Sequence, residues 1–290
     1  MTAGRFAPSP SGDLHIGNLR TALLAWLFAR SSGRRFLLRI EDLDRVRPGA
    51  EEQQLADLRA IGIDWDGIVV RQSERSALYA NAVTSLRAAG LVYECFCSRK
   101  EIHESPSAPH HRPGTYPGTC RELSEAQREV RRTERPAALR LRAEIGTHAI
   151  IDVLHGRVEG AVDDIVLVRN DGVPAYNLAV VVDDAGQGID QIVRGDDLLS
   201  SAPRQSYIAS LLGLAAPTYA HVPLALNADG KRLAKRDGAV TLADLAATGV
   251  SAAGARNLIL QSLGMHEGDL LAQFDPVALP RAPWLFRPPA

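Results

Sequence analysis

The sequence lacks any run of apolar residues long enough to span a bilayer, and residues 1–5 contain no apolar signal core. It also lacks a Gly-x-Gly-x-x-Gly dinucleotide fingerprint, a Walker P-loop and a nucleophile-elbow motif. These absences argue against membrane proteins, dinucleotide-dependent dehydrogenases and P-loop ATPases. We therefore expect a cytoplasmic protein.

Net charge is nearly absent, at −1 with a pI near 6.7. A nucleic-acid partner would therefore need a local basic face, because the bulk charge does not attract it. Residues 121–135 contain several arginines, but glutamates alternate with them. This mixture favours a solvated helix over a nucleic-acid surface.

With 290 residues and 46% hydrophobic content, the chain is long enough for one sizeable α/β core plus an insertion. Apolar periodicity predicts strands at 5–7 and 36–39 and helices at 14–31, 51–60 and 77–89. Clusters of His, Pro and Gly interrupt this alternation from 93 to about 162. Buried-strand composition returns at 165–168, 180–182 and 191–193, and residues from 243 onward are predicted to be helical. The alternation favours a parallel sheet.

Residues 5–18 combine a strand-like run, a Pro-Ser-Pro-Ser-Gly turn and a His-x-Gly sequence that opens a helix. We expect His15 and Gly17 at the helix N-terminus, where unpaired N–H groups and the macrodipole favour phosphate. An ordinary turn with a capping histidine is the alternative interpretation. Residues 230–238 form a second element, a short cationic loop bracketed by glycines, and its positive charge suits a pyrophosphate leaving group.

These two elements resemble the HIGH and KMSKS motifs of class I aminoacyl-tRNA synthetases, in the usual order. The resemblance extends from Arg5 to about Leu242 and points to the glutamyl branch. The blocks that carry this part of the resemblance are 5–12, 39–44, 176–184 and 193–198. Two departures occur: Asn18 replaces the second histidine of HIGH, and residues 232–236 read Arg-Leu-Ala-Lys-Arg. Because Asn18 forms hydrogen bonds but does not take up a charge, slower turnover or lost activity is expected.

The resemblance implies an α/β fold, with a Rossmann-like class I synthetase catalytic domain, an inserted zinc-containing acceptor-type subdomain and a short helical C-terminal tail. The implied division places the first half of the catalytic domain at 1–92 and the inserted zinc-binding subdomain at 93–162. The second half, with the KMSKS-like loop, is placed at 163–242, and a helical tail without a full anticodon-binding domain at 243–290.

This shortened architecture resembles the glutamyl-queuosine tRNA(Asp) synthetases, which attach glutamate to the queuosine base in the anticodon of tRNA(Asp). The resemblance implies a monomeric ligase that uses ATP with Mg²⁺, L-glutamate and queuosine-containing tRNA(Asp), and that holds structural Zn²⁺. Charging of a tRNA 3′ end, as in a conventional glutamyl-tRNA synthetase, is one alternative. A non-catalytic paralogue that binds glutamate or tRNA and a small-molecule adenylating ligase are the others.

By position in the matched blocks, the resemblance assigns catalysis to His15, Asn18 and Lys235, and ATP binding to these three together with Gly17. It assigns the glutamate pocket to six residues: Arg5, Ala7, Ser9, Glu41, Tyr176 and Arg194. The residue types fit, because arginines bind carboxylates in a bidentate manner, a glutamate pairs with an ammonium group and a tyrosine donates to a carboxylate. Taken singly, each also fits a structural ion pair, a solvated charge or a core tyrosine.

Cysteine is scarce, and Cys95, Cys97 and Cys120 all lie in the proposed insertion. A tetrahedral Zn²⁺ site needs a fourth ligand, for which general ligand chemistry favours a histidine. The histidines nearby in the sequence are His103, His110 and His111. The resemblance instead implies Tyr116, because the family pattern is Cys-x-Cys followed by Tyr-x-x-x-Cys, and His111 is then the alternative. Three reduced, buried thiols without a metal are the other interpretation.

Overall fold

The computed structural model describes residues 2–104, 116–233 and 240–288. The strands are β1 (Ala3–Phe6), β2 (Arg35–Ile40), β3 (Val70–Arg71), β4 (Val92–Cys95), β5 (Ala138–Leu141), β6 (Thr147–Asp152), β7 (Gly156–Ala161), β8 (Val166–Val168), β9 (Ile189–Gly195), β10 (Thr218–Val222), β11 (Ala225–Leu226) and β12 (Trp284–Leu285). The helices are α1 (Ile16–Ser31), α2 (Ala50–Ala60), α3 (Ser76–Ala88), α4 (Arg99–Glu104), α5 (Glu125–Glu134), α6 (Tyr176–Gly186), α7 (Ala202–Leu211), α8 (Leu242–Ala247), α9 (Ala252–Ser262) and α10 (Leu270–Gln273). Short 3-10 helices occupy Gln72–Arg75 and Asp196–Ser201.

The main sheet has the strand order β3-β2-β1-β9-β10-β6-β7 within the described part of the chain. Neighbouring strands from β3 to β6 are parallel, and only β7 is antiparallel, to β6. The predicted parallel sheet is therefore confirmed. Because the carboxyl ends of β1, β2, β9 and β10 meet at one edge, side chains that follow these strands are brought together there.

Helix α1 is buried along most of its length, and this explains why its sequence is apolar on nearly every side. Leu23 and Leu27 belong to a buried core that also contains residues of β2, and α9 contributes Ile259 and Leu260 to the same core. Arg20 also ties α1 to this region, since it donates to the Ser262 hydroxyl at 3.0 Å and to the Pro223 carbonyl at 2.7 Å. Arg20 therefore ties α1 to the end of α9 and to the segment that follows β10.

A second, three-stranded antiparallel sheet contains β4, β5 and β8. The hairpin of β6 and β7 lies within the predicted insertion at 93–162, yet it joins the edge of the main sheet beside β10. The prediction of a strand at 180–182 is wrong, because these valines lie in α6. Two of them, Val180 and Val181, are buried between α6 and its neighbours, so packing outweighs the strand preference of β-branched residues.

Helix α5 contains no buried residue. Its arginines pair with nearby glutamates, as in the 2.6 Å contacts of Arg132 with Glu94 and with Glu125. The expected solvated helix is confirmed. Across the described ranges, none of the helices combines the length and the apolar character needed to traverse a bilayer.

Candidate active site

The first turn of α1 begins at His15, as the turn and the apolar spacing predict. The Nδ1 atom of His15 accepts the Asn18 backbone N–H at 3.2 Å, and the Asn18 side-chain oxygen accepts the His15 N–H at 3.2 Å. Burial, aided by the positive charge of Arg232, lowers the pKa of His15 to about 4. The imidazole is therefore neutral at pH 7, with its proton on Nε2, which leaves that atom as a hydrogen-bond donor.

Asn18 is primarily a capping residue in this geometry, since its oxygen is used by the His15 backbone. Its amide NH₂ remains a donor at the helix N-terminus. Gly17 allows the close packing of this turn, because a side-chain Cβ there would lie 3.1 Å from both the His15 ring and the Ala225 Cβ. A larger residue would displace the imidazole.

The flanks of the cationic loop contact the same turn. The Ile16 N–H donates to the Val240 carbonyl at 2.8 Å, and His15 forms an isolated β-bridge with Thr241. On the other side of the loop, Arg232 donates to Asp197 at 2.6 Å. Lys235 and the remaining residues at 234–239 lie outside the described ranges. The described flanks of this loop, Arg232 on one side and Val240 and Thr241 on the other, therefore lie near the N-terminus of α1.

Arg5 is buried on β1 and is held by Asp184 of α6. Its Nε and Nη2 atoms donate to the two carboxylate oxygens at 3.2 and 3.3 Å. Arg39, fully buried on β2, donates to the same carboxylate at 2.7 Å and approaches Glu41 at 3.5 Å. Burial disfavours the charge on Asp184, but Arg39 and Arg5 outweigh it and lower the pKa of this carboxyl. Among the described residues no protein group accepts from Nη1 of Arg5, so this donor is available to a ligand.

Glu41 follows β2 at the carboxyl edge of the sheet. Its backbone N–H donates to the Pro8 carbonyl at 2.9 Å, which fixes it beside the loop that contains Ala7 and Ser9. Burial raises the pKa of Glu41, although Arg39 and Arg5 oppose this rise. A cation that binds at Glu41 would oppose this rise and favour the ionised form.

Arg194 lies near the end of β9 and completes this cluster. Its Nη1 approaches the Tyr176 hydroxyl at 3.5 Å, and Nη2 approaches the Leu198 carbonyl at 3.4 Å. Burial raises the pKa of the Tyr176 hydroxyl, and the charges of Glu41, Arg194 and Arg5 also influence it. The predicted pocket residues are thus brought together, although Arg5 is already bound to a carboxylate that the sequence analysis did not include.

Two buried residues behind Arg194 escaped the sequence analysis. His221 of β10 lies beside Arg194 in the parallel register, and its Nε2 accepts from the Arg194 Nε at 3.0 Å. Its Nδ1 donates to Asp152, at the end of β6, at 2.6 Å. The signal that points to them is a histidine inside the apolar strand sequence Tyr219-Ala220-His221-Val222.

A cavity of about 730 Å³ opens beside this cluster, lined on one side by Ser9, Glu41 and Tyr176. The lining also includes Cys97, which follows β4 of the smaller sheet, and Arg135, which precedes β5. The volume is in the range of ligand-binding pockets. The cavity therefore connects the cluster at the edge of the main sheet with the cysteines.

The three cysteines converge, with all three Sγ atoms within 4.8 Å of one another. Cys97 and Cys120 are 3.5 Å apart, and the Tyr116 hydroxyl is 3.3 Å from Cys95 Sγ and 3.9 Å from Cys97 Sγ. Around a tetrahedral Zn²⁺ with ordinary bond lengths, ligand atoms are about 3.5–3.8 Å apart. The three thiols and the phenol therefore fit one metal ion. His110 and His111 lie outside the described ranges, and so does the side chain of His103.

Hydrogen bonds from Cys120 and Cys97 lower the pKa of the Cys95 thiol, so the cluster already favours a thiolate. Burial raises the pKa of Tyr116, which keeps the phenol protonated unless a cation binds. The Arg140 guanidinium carbon lies 3.7 Å from the centre of the Tyr116 ring and fixes its orientation. The cluster is thus able to bind a metal.

Comparison with known proteins agrees with this geometry. The model of the catalytic domain of class I tRNA synthetases (E and Q) matches residues 2–269. A glutamyl-Q tRNA(Asp) synthetase from Nocardia farcinica is 67% identical over 98% of this chain and 92% of its own length. The chain belongs to the glutamyl-Q tRNA(Asp) synthetase family of class I synthetases.

Other members of the glutamyl-Q tRNA(Asp) synthetase family are also similar. The one from Cutibacterium acnes is 54% identical over 91% of this chain and 77% of its own length. The crystal structure of a glutamate tRNA ligase from Elizabethkingia meningosepticum in complex with its amino acid matches with a TM-score of 0.83 at 26% identity. That match covers 99% of this chain and 67% of the ligase. The predicted α/β class I synthetase fold and the predicted ligase class are therefore confirmed.

Proposed function

We propose that this chain activates L-glutamate with ATP and transfers the glutamyl group to the queuosine base in the anticodon of tRNA(Asp). The observation that carries the proposal is the cluster of Arg5, Glu41, Tyr176 and Arg194 at the same sheet edge as the N-terminus of α1. The names of the relatives support the choice of substrates.

In this proposal two guanidinium groups bind the two carboxylates of glutamate. Nη1 of Arg5 and the outer nitrogens of Arg194 are the donors, Tyr176 donates from its hydroxyl, and Glu41 pairs with the ammonium group. Ala7 and Ser9 complete the pocket through backbone and hydroxyl contacts. Glutamine would bind poorly, because its neutral amide leaves a desolvated guanidinium without a charge partner.

ATP would bind at the first turn of α1. The phosphates would contact the backbone N–H groups of that turn, Nε2–H of His15, the amide of Asn18 and the cation of Lys235. Gly17 lets the phosphates approach the helix. Mg²⁺ that accompanies ATP would neutralise part of the triphosphate charge. A carboxylate oxygen of glutamate attacks the α-phosphorus, the bond to pyrophosphate breaks, and glutamyl-adenylate forms. A hydroxyl of queuosine then attacks the acyl carbon, loses its proton and releases AMP.

The cavity beside Glu41 and Tyr176 is the space proposed for the acceptor base, since it opens directly onto the pocket. The part of the cavity lining that contains Cys95 and Cys97 would be stabilised by structural Zn²⁺ held by Cys95, Cys97, Tyr116 and Cys120. We also propose the domain division predicted from the sequence and a monomeric state. A cytoplasmic location belongs to the same proposal, because ATP and tRNA occur in the cytoplasm.

The deciding experiment uses radiolabelled glutamate, ATP and two forms of tRNA(Asp), one with queuosine and one with unmodified guanosine at the same position. Label that appears only on the queuosine form, and that maps to the anticodon after ribonuclease digestion, supports the proposal. Label at the 3′ end of either form would instead show conventional charging. Glutamate binding without any adenylate would show a non-catalytic paralogue.

Three variants complete the test, one in the pocket, one control and one in the cationic loop. Arg194→Gln is expected to abolish glutamate-dependent ATP–pyrophosphate exchange. Arg34→Gln is the control, because Arg34 pairs with Asp190 at the opposite end of the sheet, away from the pocket, and its loss should leave activity unchanged. Lys235→Ala tests the loop: unchanged exchange would contradict its proposed role in the release of pyrophosphate.

A further inference from the structure

A chain of three buried side chains lies behind the proposed glutamate pocket. Asp152 and His221 are 2% and 0% exposed, and Arg194 is 5% exposed. The 2.6 Å contact from His221 Nδ1 to Asp152 and the 3.0 Å contact from Arg194 Nε to His221 Nε2 link them in a row. The Arg194 guanidinium then points its outer nitrogens towards Tyr176 and the cavity side.

The carboxylate of Asp152 is fixed by four donors. Its Oδ2 accepts from the ring and the backbone N–H of His221, and its Oδ1 accepts from the backbone N–H groups of Leu154 and His155. Because Nδ1 must carry the proton that Asp152 accepts, Nε2 presents its lone pair to Arg194. Burial lowers the pKa of His221, which agrees with a neutral ring.

Because the His221 ring is neutral, it does not offset the positive charge of Arg194. No carboxylate pairs with this guanidinium in the described ranges, and its contacts to Tyr176 and Leu198 are long, at 3.5 and 3.4 Å. His221 therefore provides its shortest hydrogen bond. A carboxylate in that position would hold the group equally well but would offset part of its positive charge, as Asp184 does for Arg5.

From this arrangement we propose that Asp152 and His221 are positioning residues, which orient Arg194 through a neutral acceptor and leave its positive charge for a carboxylate of the substrate. This proposal rests on the proposed binding of glutamate by Arg194. Asp152 acts through His221, since it fixes the tautomer, and neither residue touches the substrate.

Two substitutions at His221 separate positioning from packing. His221→Phe keeps an aromatic ring but removes the acceptor, and His221→Gln supplies a side-chain oxygen near the position of Nε2. The readout is glutamate-dependent ATP–pyrophosphate exchange with KM measured separately for glutamate and for ATP. One hydrogen bond to a charged group corresponds to about a 10- to 100-fold change.

We expect His221→Phe to raise the KM for glutamate by about 10-fold or more, with the KM for ATP changed less than about twofold. His221→Gln should return the KM for glutamate to within about threefold of the wild-type value. Equal effects of the two variants, or equal changes in both KM values, would show that the histidine serves packing only. Wild-type protein without any exchange would instead contradict the proposed function, which is a different outcome.

A second measurement is made on the wild-type protein and does not depend on whether His221→Phe folds. Nitrogen-15 NMR of the wild-type protein, labelled at histidine, distinguishes protonated from unprotonated ring nitrogens. Assigned by comparison with His221→Gln, the ring should be neutral with its proton on Nδ1 at pH 7. An imidazolium, or a proton on Nε2, would overturn the proposal.

Discussion

Asp184 offers the sharpest test of the network at the sheet edge, because the chain contains a matched control. Asp184 and Asp190 each accept a fork from an arginine, Arg5 and Arg34 respectively. The first pair is 5% and 7% exposed at the side chains, and the second is 24% and 37% exposed. The two substitutions Asp184→Asn and Asp190→Asn therefore remove the same charge from similar geometry at different burial.

Removing one partner of a buried pair leaves an uncompensated charge and costs about 3–5 kcal/mol. Here two guanidinium groups, those of Arg5 and Arg39, lose their shared carboxylate. Asp184→Asn should therefore reduce the free energy of unfolding by about 4 kcal/mol and lower Tm by about 8 °C. Asp190→Asn should cost less than about 1 kcal/mol, because water screens a half-exposed pair.

Urea unfolding of the two variants at pH 7 measures this difference. The pH dependence adds a check, because the pKa of Asp184 is lowered in the folded protein. A lowered carboxyl pKa stabilises the fold above the unfolded value of about 3.9, and this stabilisation is lost as the pH falls below it. The difference in the free energy of unfolding between wild type and Asp184→Asn should therefore become smaller below about pH 4. If Asp184→Asn and Asp190→Asn lower the free energy of unfolding equally at pH 7, the argument from burial is refuted.

Three further predictions concern the metal cluster and the first turn of α1. Cys97→Ser should lower the zinc content measured by atomic absorption from about one ion per chain, and an unchanged content would exclude Cys97 as a ligand. The lowered pKa of His15, about 4 against 6.5 when unfolded, means that the unfolded chain binds more protons between these values, so stability falls as the pH falls. Wild type should lose about 2 kcal/mol more than His15→Asn between pH 7 and pH 5 in urea unfolding, and parallel curves would contradict this. Gly17→Ala should reduce ATP–pyrophosphate exchange by about tenfold, since its Cβ would lie 3.1 Å from the His15 ring, whereas Gly146→Ala, with open space around it, should match wild type.

The parts of the fold that follow from local pattern were predictable from the sequence. The start of α1 is an example: a Pro and Gly turn, a capping histidine and apolar residues at helical spacing all occur within a few positions. The strand predicted at 180–182 failed because three consecutive valines favour a strand locally. Packing and the buried partners of Asp183 and Asp184 stabilise the helix instead.

In the candidate site, too, some residues were predictable from local sequence and others were not. His15, Glu41 and Arg194 lie in blocks that resemble known motifs, so their types and order pointed to the pocket. Asp152 and His221 are separated by 69 residues and belong to no local pattern. Only the pairing of β6 and β9 with β10 brings them behind Arg194, and this pairing is not visible in a single sequence.

Helix α6 carries Tyr176 in its first turn and Asp184 near its end, so a single helix spans the proposed pocket. The turn that joins it to β8 is closed by bonds from Arg169 N–H to the Val173 carbonyl and from Ala175 N–H to the Leu167 carbonyl, both 2.9 Å. These two hydrogen bonds therefore link β8 of the smaller sheet closely to the start of α6, where Tyr176 lies. We therefore expect a displacement of β8 to move Tyr176, and with it the proposed glutamate pocket.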